Sequence, residues 1–169
     1  MSDYTYSEGI ADLLFKPLVE KNTPSLKVKK LNEDTIIPTR GSTSAAGWDL
    51  YANLDEDEIH IYPDETIKIN TGIAVAIPEG FFGAIFARSG LATKQGLRPA
   101  NCVGVVDADY RGPVIVAMHN DSDDRRTIKN GDRIAQLVLI PYLNVSVKEV
   151  EELDETERGV NGFGSTGTR

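Results

Sequence analysis

With 169 residues and 40% apolar content, the chain can bury the core of one compact domain, and no apolar run reaches transmembrane length. A net charge of −8 argues against broad binding to DNA, RNA or anionic membranes, so an anionic ligand must be small and met by local cations. One cysteine and two histidines far apart in sequence leave no internal disulfide, no zinc-ligand spacing and no good Cys–His or Ser–His nucleophilic pair. Cys102 reads as a small buried apolar residue in a reducing compartment.

Residues 1–25 read as an N-terminal extension. Within it Ser7 precedes Ile10, Leu13, Leu14 and Leu18 at helical spacing, and Pro17 would kink or end that helix. Asp3, Glu8 and Asp12 stand where a secretory signal needs basic residues, so export is not expected. A β domain over 26–152 follows. Short segments rich in β-branched and aromatic residues, bounded by Gly, Pro, Asn and Asp, predict strands at 26–31, 48–54, 66–78, 81–88, 101–106, 112–119 and 133–141. Such spacing suggests an all-β barrel or sandwich. One short helix is expected over 89–95, with Ser89 as its cap and Gly96 closing it. Asn130-Gly131 is the strongest hairpin signal, just ahead of the apolar strand from Ile134. Residues 153–169 read as a flexible C-terminal arm.

Four arginines stand in suggestive contexts for an anion: Arg88, Arg111, Arg133 and Arg158. In "FARSGLA" an apolar strand delivers Arg88, Ser89 and Gly90 to a helix start, where backbone N–H groups favour a phosphate; an ordinary cap is the plainer reading. Gln136 interrupts an apolar strand and needs a partner, either a ligand or a neighbouring backbone group. Asp107 and Asp109 follow the strand "NCVGVV" and, in extended chain, share a face where one could activate water; an Asp-rich turn is the alternative. The arm's "RGVNGFGSTG" sets one aromatic, Phe163, among four glycines, so the ring is either incidental or a cover for something bound.

"AGWDLYA" (46–52), "ARSGLA" (87–92), "GVVDADYRGPV" (104–114), "GDRIAQLV" (131–138) and "RGVNGFGSTG" (158–167) resemble, in order, the five motifs of the homotrimeric dUTPases. Ala87, Trp48 and Asn161 depart from the usual pattern, but none removes a reactive group. The resemblance implies a β jelly roll with a short helix, and hydrolysis of dUTP to dUMP and pyrophosphate. That reaction limits uracil in DNA and supplies dUMP for dTMP synthesis in an intracellular, cytoplasmic setting, with the nucleus or an infected cell left open. It implies that Asp107 activates the water attacking the α-phosphorus. Mg²⁺ on the triphosphate, Ser89, Gly90, Gln136 and arginines including Arg88 would neutralise charge, with Asp49 near the metal through water. Asn101 and the backbone around Gly104 would read uracil, and Tyr110 would lie against the deoxyribose. From the arm, Phe163 would stack on uracil, Arg158, Ser165 and Thr166 would reach the γ-phosphate, and Gly164 would permit close approach. The resemblance also implies a homotrimer whose sites take the Asp107 hairpin from one subunit and the arm from another. Two rivals share the fold: a dCTP deaminase-like enzyme, and a dUTP-binding regulatory protein that docks a partner.

Overall fold

Period-two burial shapes the longest strands. Along Pro113–Asn120 the residues Val114, Val116, Met118 and Asn120 are buried, while Pro113 and Ile115 face solvent. Asn120 is a polar group at a core position, and its side chain is satisfied there. Its Nδ2 donates to Ile61 O at 2.9 Å and Asp124 O at 2.8 Å, and its Oδ1 accepts from Ser122 N at 3.0 Å.

A computed structural model describes residues 24–160. The element order is β1 Lys27–Lys30, β2 Trp48–Tyr51, β3 Glu58–Ile61, β4 Thr66–Ala76, β5 Phe81–Ala87, α1 Ser89–Gln95, β6 Leu97–Pro99, β7 Gly104–Val106, β8 Pro113–Asn120, β9 Arg126–Lys129 and β10 Arg133–Pro141. Pairing is antiparallel throughout these strands, in sheets ordered β1-β4-β8-β6, β2-β10-β5-β7 and β3-β9. Leu50, Ile61, Ile69, Met118, Ile134 and Leu137 meet in one core drawn from all three sheets. Each such side chain stabilises the fold by about 1.5–3 kcal/mol through burial.

The long β4 bends at a register shift between Asn70 and Ala74. Gly72 adopts φ +70° there, and a Cβ on it would overlap the side chains of Thr35 and Asn53. The bend therefore needs glycine on both conformational and steric grounds.

Three expectations are corrected. Asn130-Gly131 does form a turn, with Gly131 at φ +83°, but it joins no hairpin: β9 pairs with β3, while β10 pairs with β2 and β5. The turn instead passes the chain between sheets, and Asn130 Oδ1 is used to accept from Leu54 N at 3.0 Å. The helix cap is Arg88, not Ser89, which is the first helical residue; Gly96 closes the helix at φ +69°, as expected. Cys102 is exposed rather than buried, at the tip between β6 and β7 with φ +57°, because the tight tip turns its side chain out of the sheet. The helix expected after Ser7 lies outside the described residues, as do Asn161, Phe163, Gly164, Ser165 and Thr166 of the arm.

Candidate active site

The first of two polar cavities opens where β2, β5 and β10 meet the start of α1. It is lined by Gly41, Ala45, Gly47, Asp49, Arg88, Ser89, Gly90 and Gln136, and encloses about 210 Å³. The ladder sets Gln136 of β10 between Asp49 of β2 and Phe86 of β5. Its Nε2 donates to Ala87 O at 2.9 Å, so the backbone alternative for this amide is the one realised. Gly47 makes room for it: a Cβ there would stand 3.0 Å from Gln136 Oε1.

Asp49 organises the cations. Its Oδ1 accepts from Arg88 Nε at 2.9 Å, and its Oδ2 accepts from Arg133 Nη1 at 3.1 Å. Arg88 Nη1 also donates to Arg133 O at 3.2 Å. Two guanidiniums are thus gathered around one carboxylate beside the helix start. Ser89 and Gly90 are exposed at that start, and a Cβ on Gly90 would meet nothing within 4 Å. The wall residues Gly41 and Ala45 escaped the sequence reading, and Gly47 entered it only as part of the motif "AGWDLYA". Their signal was a small-residue loop between Thr39 and Asp49, which the structure closes by an isolated bridge with Asp49 N donating to Thr39 O at 2.7 Å. Beside it Arg40 stacks over Trp48, 4.2 Å from the ring centroid.

The second cavity lies along β7 and the start of β8. Asn101, Gly104, Asp107, Tyr110 and Pro113 are among its lining residues, and it encloses about 240 Å³. Gly104 is buried against Ile85, whose Cβ would be 3.2 Å from an added Cβ. Asp107 and Asp109 do not share an extended face, because the chain turns at once: Tyr110 N donates to Asp107 O at 3.2 Å. The turn reading is the correct one for the backbone. It leaves the exposed Asp107 carboxylate without a hydrogen bond or ion pair to any described residue. Tyr110 OH donates to Pro113 O at 3.0 Å, and its ring lies over Gly112, where a Cβ would overlap it.

Asp107 and Arg88 are held apart within one chain, although the second cavity reaches back along β5 to Ile85. The β5–β7 register puts Val106 opposite Gly83, so Asp107 falls at the Phe82 end of β5, and both residues line one apolar recess. Arg88 follows the other end of β5, about 20 Å away at the rise of an antiparallel strand. Either cavity is smaller than the roughly 300–1,000 Å³ of a typical ligand pocket. Arg158 lies in the turn where Gly159 N donates to Thr156 O at 3.0 Å and does not line either cavity.

A metal finds no ready cage. Among the described residues no group of three or more His, Cys, Asp or Glu could hold an ion, and both Asp49 oxygens are engaged by arginines. No helix among them is long and apolar enough to cross a membrane.

The dUTPase family model matches residues 33–167. A deoxyuridine 5'-triphosphate nucleotidohydrolase of Desulfitobacterium hafniense is 45% identical over 149 residues, covering 86% of this chain and 98% of the relative. One from Arabidopsis thaliana is 47% identical over 145 residues, covering 86% and 84%. Among solved structures, a Staphylococcus bacteriophage 80alpha dUTPase with dUpNHpp superposes with a TM-score of 0.76 at 31% identity, covering 85% of this chain and 98% of that one.

Proposed function

Since the chain belongs to the dUTPase family and hydrolyses dUTP to dUMP and pyrophosphate, we propose that it does so in a site completed between subunits of a homotrimer. The observation that carries this reading is the separation of Asp107 from Arg88 along β5. A nucleoside triphosphate must present its base and α-phosphorus to one cavity and its outer phosphates to the other, and a second copy supplies the missing half. A closed ring of three permits that arrangement at every site. The segment after β10 supports it too. Leu143, Val145 and Val147 alternate as a strand face would, yet Val147 is 99% exposed and no described strand pairs with it. Apolar alternation without a partner in its own chain suits a segment that is covered by another.

In this reading Asn101 and the Gly104 backbone take uracil in the hairpin cavity, with Tyr110 along the deoxyribose. Replacing a carbonyl by cytosine's amino group sets donor against donor, which is how a polar site rejects a close analogue. Asp107 orients a water for in-line attack on the α-phosphorus. As its oxygen bonds to phosphorus, a water proton passes to the Asp107 carboxylate, and the bond to the bridging oxygen breaks to release pyrophosphate. Arg88, Ser89, Gly90 and Gln136 line the cavity for the charged phosphates, with Arg133 tied in through Asp49. Arg158, Phe163, Gly164, Ser165 and Thr166 of the arm complete the cover, and exclude bulk water from the attack. The family uses Mg²⁺-dUTP. Because the described residues do not fit a resident ion, magnesium comes with the substrate, and the reading of Asp49 that its neighbours support is a clamp for arginines. By removing dUTP the protein keeps uracil out of DNA and supplies dUMP for dTMP synthesis.

The test is to incubate the protein with Mg²⁺ and dUTP, dCTP, dTTP or UTP separately and assay pyrophosphate and ammonia. Pyrophosphate from dUTP alone is expected. Ammonia from dCTP would overturn the substrate assignment.

A further inference from the structure

The geometry points to Arg111 as a positioning residue that aims Asp107 by holding the backbone of its turn. This rests on the role proposed above for Asp107. The sequence alone offers Arg111 as a cation for phosphate, but the structure turns its guanidinium back onto the hairpin. Nη1 donates to Ala108 O at 2.6 Å and to Tyr110 O at 2.8 Å. That nitrogen carries two hydrogens, and the two carbonyls take one each. Both carbonyls belong to the turn that starts at Asp107, whose own closing bond from Tyr110 N to Asp107 O is the longer at 3.2 Å.

The contacts matter because the Asp107 side chain has no restraint of its own. Its carboxylate has no partner among the described residues, so the turn backbone alone decides where it points. A water-activating group must be placed within fractions of an ångström, and a ~1 Å misplacement can cost about 100-fold in rate. Tyr110 braces the same turn from its far side through Pro113 O, over the space that Gly112 leaves open. Arg111 supplies the brace on the near side. Lysine would hold them less well, since the two N–H bonds of Nη1 are fixed in the guanidinium plane, whereas an ammonium on a flexible stem rotates freely.

The experiment compares Arg111→Ala, Arg111→Lys and Asp107→Asn with wild type for kcat, KM for dUTP, binding of the non-hydrolysable analogue dUpNHpp, and Tm. Expected for Arg111→Ala is a kcat about 10- to 100-fold lower, with KM and dUpNHpp binding close to wild type. Millimolar guanidinium ion should restore part of the rate, whereas ammonium should not. Arg111→Lys should fall in between, and it carries the test if the alanine variant fails to fold. Full kcat in either variant overturns the proposal, and so does a rise in KM with kcat unchanged, which would make Arg111 a substrate ligand. Normal turnover by Asp107→Asn would instead remove the Asp107 assignment on which the inference rests. Loss of turnover there with full kcat in Arg111→Ala would remove the positioning role alone.

Discussion

Arg88 Nε donates to Asp49 Oδ1 at 2.9 Å, in a pair whose carboxylate side chain is only 13% exposed. The ion pair fixes the arginine at the mouth of the cavity, and Arg133 on the other Asp49 oxygen makes it a three-residue unit. Charge-assisted hydrogen bonds of this kind contribute about 1.5–3 kcal/mol, reduced here because the arginines are partly exposed. Asp49→Asn keeps the shape and removes the charge. It should raise KM for dUTP about tenfold, while the Mg²⁺ concentration giving half-maximal rate stays where it is. A shifted Mg²⁺ requirement with unchanged KM would return Asp49 to the metal.

Gly90 offers a way to perturb substrate without perturbing fold. A methyl there meets no protein atom within 4 Å, yet the residue lines the cavity, so the group would project into space that phosphates need. Alanine is also the better helix former, by up to about 1 kcal/mol. Gly90→Ala should therefore keep or raise Tm and sharply raise KM for dUTP. Unchanged KM, measured beside an unchanged melting curve, would take Gly90 out of the phosphate site.

How far the sequence could be read depended on the range of the interaction involved. β4, β5, β8 and β10 were legible because each is long and rich in β-branched or, in β5, aromatic residues. β3 and β9 were missed: they have four residues each, with charged or polar groups such as Glu58, His60, Arg126 and Lys129, and only their mutual pairing makes them strands. The Asn130-Gly131 signal specified its local turn correctly but said nothing of which strands flank it, since pairing partners are chosen by the whole sheet. The motifs gave the identity of the polar residues around both cavities. The separation of Asp107 from Arg88 along β5 was not legible, because it follows from the β5–β7 register, which no local pattern encodes.

Away from the site, Arg98 of β6 grips Asp121 through Nε and through Nη2, the latter at 2.8 Å. That hydrogen-bonded guanidinium, helped by its charge and by His119, holds the Asp121 carboxyl below its ordinary value of 3.8. A depressed carboxylate stabilises the fold above its unfolded-state pKa and loses that contribution as pH falls through the folded-state value. Asp121→Asn should thus melt below wild type at neutral pH, and the gap should close as pH drops from about 4 downward. Thermal melts across that range check it; a gap independent of pH would mean the carboxylate's charge contributes nothing.

The separation of Asp107 from Arg88 makes the shared site open to a complementation test. Asp107→Asn and Arg88→Ala are each expected to be nearly inactive, the first for want of a base and the second for want of a phosphate cation. If the two are unfolded together in equal amounts and refolded, subunits assort at random. A site drawing its hairpin from one subunit and its phosphate cavity from another is intact when the first carries Arg88→Ala and the second Asp107→Asn. Each condition holds with chance one half, so about one quarter of wild-type activity should return. If both halves came from the same chain, every site would keep one defect, and activity would stay at background even in verified mixed trimers. The quarter-strength recovery requires that the strand separating Asp107 from Arg88 in one subunit be bridged by the next.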